Sequence, residues 1–141
     1  LSHFSNEPFI VINPDTIWNF DYLKILKVME KEFFINKKGK CCLLIVKKNK
    51  SFDRSIKGDF NLENNLINRK NKENIKYIYT GVQILTPNVF DHLDLKVFSI
   101  NKIWDQLIQN SHLFGTESKV NFLHVSTFSI YKSLLKKYFK H

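Results

Sequence analysis

The chain has 141 residues, of which 43% are hydrophobic and 14% aromatic; that is enough for one domain with a real core and excludes a disordered chain. Its net charge is +9, yet Arg54 and Arg69 are its only arginines and the other basic residues are lysines. Lysine makes point-charge rather than bidentate contacts, and Lys and Asn abound throughout. The charge therefore reads as a solvated basic surface that attracts phosphorylated metabolites, not as a dedicated or sequence-specific nucleic-acid site.

No stretch is long and apolar enough to span a membrane, and Leu1 to Asn6 lacks a basic region followed by an apolar one. The cytoplasm is the expected location. In chain order, Phe9-Ile10-Val11-Ile12 comes first, four apolar residues without alternation, as in a strand of a parallel α/β sheet covered on both faces. Asn13-Pro14 ends it and places Asp15 in the crevice at the strand's carboxyl end, where open α/β sheets hold their ligands. The residues alone leave two readings open for Asp15: a ligand to Mg²⁺, or a cap of the next helix or a turn.

Asn19-Phe20-Asp21 opens a helix with Leu23, Leu26, Met29 and Phe33 on its buried face. After a polar turn around Gly39, Cys41 to Val46 reads as a second strand buried on both sides. The two adjacent cysteines are core residues there, without metal or disulfide spacing. Strand, helix, strand implies a right-handed parallel crossover. Phe60 to Leu62 and Leu66 to Arg69 flank Glu63-Asn64-Asn65 as a hairpin, and a charged run from Arg69 to Glu73 follows.

Tyr77 to Leu85 is a long strand interrupted by Gly81, which marks a bulge or a close backbone approach. Pro87 starts a short helix through Phe90 and Leu93, and Ser99 caps one carrying Ile100, Ile103, Trp104, Leu107 and Ile108. After Leu113-Phe114-Gly115, Val120 to Val125 reads as a strand. Ser126-Thr127 caps a last helix with Ile130, Leu134 and Leu135 inward and Lys132, Lys136 and Lys137 outward. Two chemically capable groups stand at strand ends, Asp15 and His124, although a histidine so placed is more often a core or surface group than a ligand. Asp59 after Gly58 reads equally as a turn residue. No nucleophile elbow, paired histidines at ligand spacing or Gly-rich phosphate loop is present. Read from its residues alone, the chain is an α/β ligand-binding domain with a candidate carboxylate.

In their order, Asn13-Pro14-Asp15, Gly58-Asp59-Phe60, Tyr79-Thr80-Gly81-Val82, Pro87-Asn88-Val89-Phe90, Phe98-Ser99 with Trp104-Asp105, and His124-Val125-Ser126-Thr127-Phe128 resemble a series of motifs in the C-terminal part of the sugar-1-phosphate nucleotidyltransferases. Within that family the resemblance is greatest to N-acetylmuramate-1-phosphate uridylyltransferases and mannose-1-phosphate guanylyltransferase-like proteins. It implies one domain over residues 1–141, a three-layer α/β/α Rossmann-like mixed sheet, incomplete because the family's Gly-rich nucleotide loop with its Arg and Pro-Lys-Pro elements would precede Leu1. It also implies Mg²⁺ held by Asp15, the catalytic residue, and by His124. The sugar phosphate would be lined by Asn13, Gly58, Asp59, Thr80 and Gly81.

The family's reaction is attack by a sugar-1-phosphate oxygen on the α-phosphorus of a nucleoside triphosphate with release of pyrophosphate, which needs positioning and charge neutralisation but no protein nucleophile. The chain departs from the family at Pro14, where relatives have Gly, at Ser126-Thr127-Phe128, where they have Gly-Thr-Pro, and at His124, where many have Asp. The implied partners are a complementing N-terminal half, in cis or in trans, or a second copy joined along the sheet edge at Phe9 to Ile12. The alternatives are a non-catalytic remnant or partner-binding module, and polyanion binding through the lysine surface.

Overall fold

The computed structural model describes residues 6–35, 39–91 and 97–139. The expected extension of the Pro87 helix to Leu93, part of the turn before Cys41 and most of Leu1 to Asn6 fall outside them. Among the described residues, six strands and three α-helices follow in the order β1 (Phe9–Ile12), α1 (Asp21–Ile35), β2 (Cys41–Lys47), β3 (Asn61–Glu63), β4 (Leu66–Asn68), β5 (Tyr77–Leu85), α2 (Ile100–Gln109), β6 (Leu113–Ser118) and α3 (Phe128–Tyr138). They build one mixed sheet in the order β1-β5-β2-β6-β4-β3. The pair β2–β6 is parallel, and the other neighbours are antiparallel.

The centre of the sheet is where the sequence is most apolar. Leu43, Leu44, Ile45 and Val46 of β2 are fully buried because helices cover both faces. On one face α1 sets Tyr22, Met29 and Phe33 over Cys42, Leu44, Val82 and Ile84. On the other, Ile103, Trp104 and Leu107 of α2 pack with Cys41, Leu43, Ile45 and Phe60. The result is the expected three-layer α/β/α arrangement, with both cysteines free and buried.

Three expectations change. β1 is not covered on both faces: among the described residues it is an outermost strand, with Ile10 46% and Ile12 48% exposed, because the α1 stripe lies over β2 and β5 instead. The parallel relation expected of β1 and β2 holds: both run antiparallel to β5, which lies between them, so the strand-helix-strand unit skips one position. On α1 the buried face begins at Tyr22, whose hydroxyl donates to Asn121 O at 3.1 Å, while Leu23 is exposed; on α3 Leu134 is buried but Leu135 is 39% exposed. Finally, the strand near the carboxyl end is Leu113–Ser118, and Phe122 and His124 contribute only isolated bridges. Gly115 lies inside that strand, where a Cβ would come within 2.5 Å of Ile67 Cδ1; a close packing approach, not a chain break, calls for the glycine.

Other local signals hold. Asn64 and Asn65, at φ 49° and 63°, make the two-residue turn between β3 and β4, a left-handed pair that asparagine tolerates. Asn19 Oδ1 accepts from Asp21 N at 3.0 Å, and Ser99 and Thr127 cap α2 and α3 by accepting from Asn101 N and Ile130 N. Gly81 has φ +92° and sits where the β2–β5 register slips, two residues of β2 from Leu43 to Ile45 spanning four of β5 from Gln83 to Tyr79.

The loop after β2 is fastened by a carboxylate the sequence reading passed over. Asp53 accepts from Ser55 N at 2.9 Å, Ser55 Oγ at 2.6 Å and Ser126 Oγ at 2.6 Å, tying this loop to the segment before α3. The bond from Ser126, then those from Ser55, with a smaller contribution from His124, hold its pKa below the usual carboxylate value.

Two outcomes follow. Gly81→Ala forces a side chain into positive φ with its Cβ 2.7 Å from Asn13 Cβ, and urea denaturation should show a loss of about 1–3 kcal/mol. For Asp53, a lowered folded pKa means its stabilisation is present above the unfolded value near ~4 and is lost as pH falls through the folded value. Asp53→Asn should therefore cost on the order of 1–2 kcal/mol at pH 7. Denaturation at a series of pH values should show that difference shrinking below about pH 4; a constant difference would assign it to packing.

Candidate active site

Strands β1, β2 and β6 finish, and β5 begins, along one edge of the sheet. There main-chain pairing, helped by a few side-chain bonds to the backbone, brings the candidate residues together. Past the end of β1, Asn13 N still donates to Gly81 O at 2.8 Å, and Trp18 Nε1 donates to Asn13 O at 3.2 Å. Thr16 Oγ1 donates to Thr80 O at 3.3 Å, and Thr80 Oγ1 to Leu44 O at 2.9 Å, so the turn after Pro14 is locked onto β5 and β5 onto β2. On its other side the same turn makes a short antiparallel pairing: Val125 N donates to Asp15 O at 2.8 Å and Ile17 N to Leu123 O at 2.9 Å, with Thr16 opposite His124. Asp15 and His124, 109 positions apart in the chain, become neighbours through those two bonds.

Their side chains face each other, with Asp15 Oδ1 3.6 Å from His124 Nδ1. That exceeds hydrogen-bonding distance, and the buried Nδ1 has no partner among the described residues. The imidazole is held flat against the Phe122 ring, centroids 5.5 Å apart and planes 6° apart. A buried nitrogen without a partner, facing a carboxylate across a gap, suits a bridging cation or water.

A cleft of about 230 Å³ opens at this point, and Asn13, Asp15, Asp59, Thr80, Gly81 and His124 all line it. Gly58 does not: it packs against Ile75, whose Cγ2 would lie 2.4 Å from an added Cβ. Asp59 is oriented by Tyr79 N, which donates to Oδ2 at 2.9 Å; burial raises its pKa, offset by that bond and by Arg69. Arg69 is itself fixed by Asp105 and Asn101 and lies 4.8 Å above the Phe60 ring.

Tyr79, part of the Tyr79-Thr80-Gly81-Val82 motif but not among the expected site residues, lines the cleft as well. Its ring meets Trp104 edge-on at 4.9 Å, its hydroxyl is buried without a partner, and burial, then the nearby Cys41 and Asp15, push its pKa far up. It stays a neutral phenol with a hydrogen bond to give. Its signal in the sequence was its place beside Thr80-Gly81, at the mouth of the strand.

Among the described residues no group of three or more His, Cys, Asp and Glu side chains converges on one point. The donors that could hold a cation are therefore one carboxylate and one imidazole. Mg²⁺ is typically bound through one or two carboxylates, with its other ligands from substrate phosphates and water. Asp15 and His124 fit that partial role, with a nitrogen in place of a second hard oxygen.

No family model matches the chain, and no curated protein matches it in sequence. Solved structures do. A putative glucose-1-phosphate thymidylyltransferase from Bacillus anthracis, in complex with a sucrose, superposes with a TM-score of 0.65 at 21% identity, over 94% of this chain and 55% of its own. HddC from Yersinia pseudotuberculosis gives 0.60 at 19% identity over 94% of this chain and 56% of its own. Its complex with GMP-PN gives 0.63 at 19% over 99% and 58%. The chain thus spans a little over half the length of these proteins. Through that span it has the mixed α/β fold of a nucleotidyltransferase.

Proposed function

We propose that this chain supplies the cation- and sugar-phosphate-binding side of a site that transfers a nucleotidyl group from a nucleoside triphosphate to a sugar-1-phosphate. One observation carries this reading: six residues singled out from scattered motifs line a single cleft, in a chain that folds as nucleotidyltransferases do. In this reaction a sugar-1-phosphate oxygen forms a bond to the α-phosphorus, the bond from that phosphorus to the bridging oxygen breaks, and pyrophosphate leaves with the electron pair. Mg²⁺, when bound, offsets the charge of the phosphates.

The chain's own residues position the acceptor. Asp15 and His124 hold the cation. Asp59, with Oδ2 occupied by Tyr79 N, turns Oδ1 to a sugar hydroxyl, and the Tyr79 hydroxyl donates to a sugar or phosphate oxygen. Thr80 and Gly81 line the acceptor's side of the cleft, where the missing side chain at Gly81 leaves room for Asn13. Asn13 closes the cleft beside it, and Gly58 allows the preceding loop to lie against Ile75. N-acetylmuramate-1-phosphate and mannose-1-phosphate are the first acceptors to try, in a cytoplasmic route to nucleotide sugars for the cell wall. That one structural neighbour is solved with GMP-PN supports a nucleotide in the completed site.

The triphosphate needs a further half of the fold, in cis or in trans. The outer strand β1 is where it joins, since Ile10 and Ile12 are half exposed and an apolar groove of about 370 Å³ runs between β1 and α1, lined by Ile10, Leu23, Leu26, Phe34 and Ile84. A second copy joined along β1 is the other way to cover it.

Pyrophosphate release, followed with Mg²⁺, nucleoside triphosphates and each sugar-1-phosphate, tests this for the chain with and without the polypeptide encoded immediately upstream. Turnover is expected in the mixture, reduced on the order of 100-fold or more in Asp15→Asn. Undiminished turnover in that variant would remove Asp15 from the chemistry, and turnover by the chain alone would show that no other half is required.

A further inference from the structure

A second concavity lies apart from the cleft, between residues 50–54, residues 121–123 and the last turn of α3, with a volume of about 190 Å³. Lys50, Arg54 and Lys137 stand in its wall and no carboxylate lines it. None of the three forms an ion pair among the described residues. Three cations around one hollow, without a counter-charge, raise the local potential for an anion.

The wall is built rather than incidental. Phe52 N donates to Phe122 O at 2.9 Å and Phe122 N to Lys50 O at 3.0 Å, which fixes the backbone that carries Lys50. The Lys137 ammonium lies 5.4 Å from the Phe52 ring centroid and 5.3 Å from that of Tyr138. One guanidinium nitrogen of Arg54 donates to Asn49 O at 2.6 Å, leaving other donors of the fork unused. Ser51, in the same wall and 1% exposed, has a hydroxyl without a hydrogen-bond partner among the described residues. A buried hydroxyl left unsatisfied by the protein is costly unless something else satisfies it.

We propose that this pocket binds the terminal phosphate of a small phosphorylated metabolite. Lys50, Arg54 and Lys137 supply the charge and Ser51 a neutral hydrogen bond. A terminal phosphate enters a hollow of this kind, whereas the bridging phosphate of a polynucleotide carries a sugar on either side and stays at the rim. The pocket takes its ligand independently of whether the Asp15 cleft transfers nucleotidyl groups.

Titration calorimetry on the full chain, in EDTA so that no divalent cation bridges phosphate to Asp15, tests this with inorganic phosphate, glycerol-1-phosphate and a single-stranded oligonucleotide lacking terminal phosphate. Saturable binding of the monoester at one site is expected, weakened about tenfold by Lys137→Gln and by Arg54→Gln and unchanged in Asp15→Asn. Ser51→Ala should lower the affinity without lowering Tm, because no bond within the protein is lost. Unchanged affinity in Lys137→Gln, Arg54→Gln and Ser51→Ala, or a loss in Asp15→Asn, would overturn the assignment. So would inorganic phosphate binding while the monoester does not, or the oligonucleotide binding as tightly as the monoester.

Discussion

Two backbone hydrogen bonds, Val125 N to Asp15 O and Ile17 N to Leu123 O, set the geometry on which the cleft depends. They join the turn after β1 to the segment before α3 and set Asp15 beside His124. Their rigidity is borrowed from the sheet. Asn13 reaches Gly81, Thr16 reaches Thr80, and Thr80 reaches Leu44, so the acid-bearing turn is anchored successively on β5 and on the buried β2. The cleft thus rests on main-chain pairing reinforced by the Thr16 and Thr80 hydroxyls.

The same segments divide the chain's handling of charge. On one side, His124 leans on Phe122 and faces Asp15. On the other, the backbone of Phe122 pairs with residues 50–52 and builds the hollow that Lys50, Arg54 and Lys137 surround. Asp53 lies between them in sequence, its carboxylate occupied by Ser55 and Ser126, so it fastens the loop and, among the described residues, forms no ion pair with Lys50, Arg54 or Lys137. A diffuse excess of lysine becomes specific only where the fold gathers it.

Much of this was legible in the residues. The unbroken apolar run Cys41 to Val46 could only be a central strand. Gly81 announced a close approach, which proved to be that of Asn13, and Asn64-Asn65 announced a tight turn. Phe9 to Ile12 misled, since an apolar run reports what a strand is made of but not whether a layer covers it. Gly115 misled as well, because a glycine required by Ile67 packing looks in sequence like one in a connection between elements. The pairing of residues 15–17 with 123–125 had no sequence signal of its own, being formed by backbone groups that every residue carries. Only the ordered motifs placed Asp15 and His124 in one site, and only the fold shows how they meet.

The central claim is that Asp15 and His124 act together on one divalent cation, and manganese titration followed through the His124 imidazole resonances tests it most directly. With Mn²⁺ standing in for Mg²⁺, and His124→Gln identifying the signal among the chain's five histidines, the His124 resonances are expected to broaden before the others. In Asp15→Asn the concentration needed should rise about tenfold. Broadening spread evenly over all the histidines, or a His124 response that is the same in Asp15→Asn, would contradict it.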